Sequence, residues 1–477
     1  MTGDGSGPSA VATAWLERIR TEVGRVVDPH DDGVITTDDH GDDAVSTVRF
    51  ATTDEVPEVH GAFSRFSARL GEVVADGDTL HVGLGDLMAG PPGRPVEQAR
   101  TVAARAGRHL PADGCRVGIP AECEPVAAAL IDGLRSGCTT PGRTRLLVDG
   151  RYAEAARTGR RQADTARLAA TLTSAPPNVL TPKACAGIAE DIAQRAGLDC
   201  EIFGPDEVSR RGFGGLAAIG AGSAHGPHLV RLTYRPERAE ACIALVGKGI
   251  TFGSGGLSLK PPGAMQTMRM DMAGAAAILA VMAALAVQGC SATVHAILPF
   301  AENLPGAGAA RPGDIVTAWN GIQIQLLDTD FEGRVVLADG LALASSLHPD
   351  LVVDLATLTN AAVVALGPEV AAVIGRDQGA VDAFLAAAAE AGEPMWQLPW
   401  AERYLDQVRT PFGVRNHPLA DTGRALTAAL FLGEFVPADL PWVHCDLAGP
   451  AWRGTASEEG GTGFATRTLL TLLRDQG

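Results

Sequence analysis

The second half of the chain alternates between short apolar runs and longer stretches rich in Ala and Leu. ACIALVGKGITF (241–252), SATVHAILPF (291–300), DLVVDLATL (350–358) and WVHCDLAG (442–449) have the length of strands. MAGAAAILAVMAALAVQG (272–289), ALTAALFLGEFV (425–436) and FATRTLLTLLRDQ (464–476) have the length of helices. Strands that are apolar throughout, instead of alternating with polar positions, are buried on both faces, so the pattern predicts a mostly parallel sheet covered by helices on each side. Ligands of such sheets sit beyond the carboxyl ends of the strands. Lys248 and Thr357 fall at or near predicted strand ends, and Asp271 lies in the connection leading into the next helix.

The first half is patterned on a smaller scale. TLHVGLG (79–85), CRVGIP (115–120) and RTRLLVDG (143–150) read as strands, and VEQARTVAARAG (96–107) as a helix. We therefore expect an N-terminal α/β domain over 1–150, its first ten or so residues disordered and its acidic stretch 28–43 a solvated loop. A connecting helix over 151–175 follows. PPNVLTP (176–182) stops it and offers Thr181 as the cap of the next helix. Residues 176–477 form the second, larger α/β/α domain with a mostly parallel mixed sheet.

Composition narrows the function classes. A net charge of −17 argues against a nucleic-acid binder, whose footprint is basic. The eight cysteines include no CxxC pair and read as buried thiols of a reducing compartment. The start of the chain lacks an apolar signal core, and the apolar run 273–287 is short and Ala-rich for a membrane span. These features predict a cytoplasmic protein. The chain has only three lysines, Lys183, Lys248 and Lys260, beside 36 arginines. A retained lysine in such a chain hints that arginine would not serve, because an ammonium can lose its proton and a guanidinium cannot.

LLDTDFEGR (326–334) sets Asp328, Asp330, Glu332 and Arg334 at every second position. In an extended segment these would share one face. Three carboxylates there call for positive charge, from Arg334 or from a divalent metal. HExxH, GxSxG and the phosphate-binding glycine motifs are missing from the sequence. His295 and His444 lie on predicted buried strands and read as satisfied core residues, and Glu302–Asn303 as a loop-ordering pair.

With PPNVLTP, VGKGITFGSGGLSLKP, MRMDMAGAAA, ENLPGAGAARPGD, DTDFEGR, DLATLT and HCDLAGPAW in this order and spacing, the chain resembles the leucyl (cytosol) aminopeptidase family of two-metal exopeptidases. The resemblance is strong over roughly 170–477. It implies a hydrolase that removes N-terminal residues from short peptides or a peptide-like metabolite, assembled as a homohexamer. It implies Lys248, Asp271, Asp330 and Glu332 as ligands of Zn, Mn or Mg ions, one or two per chain. Lys260 would polarise the scissile carbonyl, Arg334 would hold a bicarbonate general base, and Thr357, Leu358, Thr359 and Asn360 would line the substrate cleft. Three positions depart from the family. Gly253 stands where the family has a bridging aspartate, Asp328 where it has asparagine, and Asn360 where it has glycine. Asp328 is a candidate substitute ligand. The alternative is a catalytically impaired member with an altered or one-metal site, kept for binding, assembly or a specialised metabolic role.

Overall fold

A computed structural model of the chain describes residues 10–28, 34–36, 46–53, 66–111, 114–139, 145–455 and 458–474. The chain divides into two compact α/β units. The larger contains residues 1–27, 168–387 and 394–477, and the smaller 28–167 and 388–393. The division falls inside the helix Ala153–Ser174. The N-terminal boundary differs from the sequence reading. Ala10–Val27 is a helix whose Ile19, Val23 and Val26 are buried in the core of the larger unit, because its apolar residues recur on one helical face. Expected disorder at the start falls outside the described residues, apart from Ala10, which opens this helix. Most of the stretch 28–43 also lies outside them, but Val34–Thr36 is a strand paired with Leu146–Val148 and not part of a loop.

The smaller unit is built on six strands in the order Val34–Thr36, Leu146–Val148, Cys115–Gly118, Thr47–Thr52, Thr79–Gly85, Val73–Asp76. All neighbours are parallel except the last pair.

The larger unit carries the nine-stranded sheet that positions the site. Its central strands are Trp442–Asp446, Leu351–Ala356, Ala241–Gly247 and Ala292–Asn303, neighbours in that order and all parallel. Gly249–Gly253 adds to the far end of Ala292–Asn303, also in parallel, with a register shift between Ile250 and Phe252. Antiparallel strands flank this core: His228–Tyr234 on one side and Ala371–Gly375 on the other. The helix Ala273–Gln288 lies in the apolar core of one face, and Glu332–Ser345 and Arg424–Gly433 in that of the other. Every residue of Ala273–Leu285 is buried. The preceding turn lengthens this apolar stretch to 21 residues, Met268–Gln288, so length does not exclude a membrane span as the sequence reading held; 83% of its apolar window is buried inside the protein, which makes it a core helix. The helix is apolar all round because it is buried all round, and Gly274 in its first turn lets it lie close to the sheet: a β-carbon there would stand 2.0 Å from the Leu355 carbonyl oxygen. The eight cysteines form no disulfide.

Candidate active site

Four parallel strands ending along one edge bring their successors together. Lys248 follows Ala241–Gly247. Its N–H donates to the Leu355 carbonyl and its own carbonyl accepts from Ala275 N–H, both at 3.0 Å. The backbone is thus tied to the neighbouring strand and to the first turn of the Ala-rich helix. The side chain is buried, and Nζ donates to Asp271 Oδ1 at 2.6 Å and to the Thr357 carbonyl at 2.9 Å, with Glu332 Oε1 3.3 Å away. Thr357 Oγ1 donates to the same Asp271 oxygen at 2.8 Å.

Lys260 ends the loop that leaves Gly253. Its Nζ pairs with Asp330 Oδ1 and donates to the Gly253 carbonyl at 3.2 Å. Loop and turn are clamped together: Ser258 N–H donates to Thr329 Oγ1 at 2.8 Å, and Thr329 Oγ1 donates to the Gly255 carbonyl at 2.7 Å.

The segment 326–334 is not extended, in contrast to the sequence reading. The chain turns at Asp328–Phe331, and a helix starts at Glu332, because Asp328 Oδ1 accepts from Asp330 N–H at 2.8 Å and closes a local turn. Asp330 and Glu332 reach Lys260 and Lys248 respectively. Asp328 forms no ion pair with either lysine among the described residues; its carboxylate shapes the turn that presents Asp330.

Burial and like charge split the carboxyl groups. Burial pushes the Asp271 carboxyl up to about 7 against the pull of Lys248, with Glu332 adding to the rise. Burial, reinforced by Glu332, raises Asp330 to about 6. Burial would also raise Glu332, but Lys248 and Lys260 outweigh it and hold this carboxylate below its ordinary value. One member of the Asp271–Glu332 pair therefore keeps its charge while the other gains a proton readily, as expected of close carboxyl groups. Burial opposes the charge on Lys248, yet Asp271 and Glu332 raise its pKa above the ordinary lysine value.

The donor set suits a divalent cation: three carboxylates and an amine converge, and Glu332 Oε2 is buried without a hydrogen-bond partner. Among the described residues, no three acidic, His or Cys side chains stand ready as a closed cage, since the two ammonium groups lie among the carboxylates and supply the counter-charge. For Lys248 to serve as a ligand it must lose its proton, so cation binding at this place releases protons.

Arg334 leaves the first turn of the helix Glu332–Ser345. Nη1 donates to the Asn416 carbonyl at 2.8 Å, and the guanidinium lies 4.6 Å from the Phe331 ring centroid. Burial lowers its pKa to about 9, so it remains charged at neutral pH. Its Nε–H is buried without a partner. On the adjoining strand ends, Asp446 accepts from Leu358 N–H at 3.1 Å and from Thr359 Oγ1 at 2.6 Å. Thr359 in turn caps the helix Asn360–Leu366, leaving Asn360 exposed in its first turn.

Residues 167–470 match the catalytic domain of the cytosol aminopeptidase family. The chain belongs to that family. A probable cytosol aminopeptidase of Persephonella marina is 39% identical over 327 residues, 68% of this chain and 66% of the relative. One from Syntrophotalea carbinolica is 43% identical over 315 residues, 65% of this chain and 63% of the relative. The chain thus spans a little under two thirds of the length of these curated relatives. Among solved structures, the bottromycin maturation enzyme BotP in complex with Mn superposes with a TM-score of 0.82 at 38% identity, covering 91% of this chain and 99% of that one. The family resemblance drawn from the motifs is therefore correct, and so is the two-domain α/β class.

Two residues of this family member escaped the sequence reading. Asn416 is fully buried; its Oδ1 accepts from Leu327 N–H at 2.8 Å, and its Nδ2 donates to the Asp328 carbonyl at 2.6 Å. It therefore holds both the carboxylate-bearing turn and Arg334. Asp446 lies within the HCDLAGPAW motif, where its spacing alone points to no role. His295 Nδ1 meets Thr233 Oγ1 at 3.0 Å, as expected of a core histidine, whereas His444 meets Asp354 Oδ1 at 2.6 Å through Nδ1 but leaves its buried Nε2 without a partner, so this ring is only half satisfied.

Proposed function

We propose that this chain is a metal-dependent aminopeptidase-type hydrolase that removes N-terminal residues from short peptides or a peptide-like metabolite. The observation carrying this reading is the convergence of Lys248, Asp271, Glu332, Lys260 and Asp330 at the carboxyl edge of a parallel sheet, with Glu332 Oε2 buried and unpartnered. Asp271, Asp330, Glu332 and Lys248 would hold one or two divalent ions of Zn, Mn or Mg. The chemistry such an ion supplies when bound is polarisation of a carbonyl and a lowered pKa for water. Lys260, whose charge is favoured by Glu332 and Asp271 against burial, presents a compact positive charge to the carbonyl oxygen. Arg334, with a buried unpartnered N–H, is suited to hold a small anion such as bicarbonate as general base. The backbone of Thr357, Leu358 and Thr359, fixed through Asp446, lines the cleft together with Asn360. Assembly as a homohexamer in the cytoplasm accompanies this reading.

The likeness to a bottromycin maturation enzyme supports a peptide-like metabolite precursor as a substrate beside ordinary short peptides. The test is hydrolysis of aminoacyl anilides and of short peptides with free or acetylated N-termini, in Mn, Zn or Mg and after chelation. Cleavage confined to free N-termini and lost on chelation is expected. Metal binding without cleavage of any such substrate would instead establish the alternative, a catalytically impaired member with an altered or one-metal site.

A further inference from the structure

The loop 254–260 that carries Lys260 is not held by apolar packing, since its two large side chains, Leu257 and Leu259, face solvent. Hydrogen bonds hold it instead, and most of them lead to one residue. Thr329 is 2% exposed, and all its polar groups are engaged. Its N–H donates to Ser258 Oγ at 3.2 Å, its Oγ1 donates to the Gly255 carbonyl at 2.7 Å, and the same Oγ1 accepts from Ser258 N–H at 2.8 Å. Its carbonyl accepts from Asn303 Nδ2 at 2.9 Å. The loop starts from the same asparagine: Ser254 N–H and Oγ donate to the Asn303 carbonyl at 3.1 and 2.6 Å, and Lys260 N–H closes the loop on the Ser254 carbonyl at 2.9 Å. Glu302 takes no part in this, because its carboxylate accepts from Ser223. The next residue after Thr329 is Asp330, which pairs with Lys260.

We infer that Thr329 is a positioning residue for Lys260. Its hydroxyl pins the loop to the turn bearing Asp330, with Asn303 as the fixed point on the sheet, and so sets where the ammonium stands relative to the carboxylates. The inference rests on the role proposed above for Lys260 at the substrate carbonyl.

The test compares wild type, Thr329→Val and Thr329→Ser in the full chain by two readouts. One is the kinetics of aminoacyl-anilide cleavage. The other is acetylation of Lys260 by acetic anhydride, followed by mass spectrometry with exposed Lys183 as internal reference. Valine keeps the shape but leaves Gly255 and Ser258 backbone groups unpaired, so the Lys260 to Lys183 labelling ratio should rise roughly tenfold, equivalent to about 1.4 kcal/mol. kcat/KM should fall about 10- to 100-fold, through kcat with KM nearly unchanged, because Lys260 acts on the transition state. Serine retains the hydroxyl and should keep both readouts at wild-type values. In a Lys260→Ala background, Thr329→Val should lower kcat/KM no further. A wild-type labelling ratio in Thr329→Val, a serine variant that behaves like valine, or an undiminished loss in the Lys260→Ala background would overturn the inference. If Thr329→Val fails to fold, Ser258→Ala, which deletes only the acceptor of Thr329 N–H, should raise the labelling ratio, and an unchanged ratio there overturns it. A wild type that cleaves no aminoacyl substrate refutes the hydrolase reading itself, while the labelling ratio still decides what Thr329 does.

Discussion

Lys248 reaches its carboxylate partners across Gly333, whose β-carbon, if present, would stand 2.5 Å from Lys248 Cε and 2.7 Å from Nζ. The end of a lysine side chain is flexible, so it is the lysine that yields to an added methyl. Gly333→Ala should therefore move the amine away from Asp271 and Glu332. Alanine also favours the helix by up to about 1 kcal/mol over glycine. We expect a well-folded variant whose kcat/KM falls on the order of 100-fold, the scale of a 1 Å misplacement. Unchanged kcat/KM would show that Lys248 has room to spare.

Replacing Lys248 or Lys260 by arginine should cost roughly 100-fold or more in kcat/KM, on the scale of losing one preorganised charge-stabilising donor. A guanidinium cannot give up a proton and is too broad and planar for either place. Lys183→Arg, on an exposed position, should leave the rate unchanged. Parallel kinetics of the three variants decide the matter, and near-normal activity of Lys260→Arg would remove its assigned role.

Asn416→Ala breaks the side-chain bonds to Leu327 N–H and the Asp328 carbonyl while leaving the backbone carbonyl that Arg334 uses. Leaving buried backbone groups unpaired costs about 1–3 kcal/mol. The variant should melt at a lower temperature and lose activity through kcat more than KM, because the turn carrying Asp330 loosens. A variant with the melting point and kcat of the wild type would refute this role.

Burial works against a charged His444, but Asp354 at 2.6 Å more than compensates and raises its pKa above the ordinary 6.5. A raised folded-state pKa means a stabilising contribution fully present below about 6.5 and lost as pH rises through the folded value. The difference in melting temperature between wild type and His444→Gln should therefore be largest on the acidic side and narrow towards alkaline pH. A difference independent of pH would refute a raised His444 pKa in the folded protein.

The sheet and its covering helices were legible because near-continuous apolar runs have one stable arrangement, buried on both faces. The lysines were legible because they stand alone in an arginine-rich chain. What periodicity could not convey was the path of 326–334: every-second spacing suits an extended face, but the Asp328 side chain captures the Asp330 N–H and turns the chain into a helix. Asn416 carries no local pattern at all; its importance arises from a contact with residues 88 and 89 positions away, which no window on the sequence spans. Ala10–Val27 was assigned to the nearer domain by position, whereas its apolar face is claimed by the core of the larger unit.

The close seating of the Ala273–Gln288 helix on the Leu351–Ala356 strand, where Gly274 leaves no space above the Leu355 carbonyl, sets how this scaffold can be diversified. Both elements also hold the backbone of Lys248. Random substitution along either would therefore exchange volume in a place with none to spare and disturb the lysine as well. Libraries seeking new substrate preference are better confined to Leu257 and Leu259 in the loop that leaves Gly253 and to the exposed positions of the helix Asn360–Leu366. In those segments Leu257, Leu259 and Val364 already face solvent, and a changed side chain has somewhere to go.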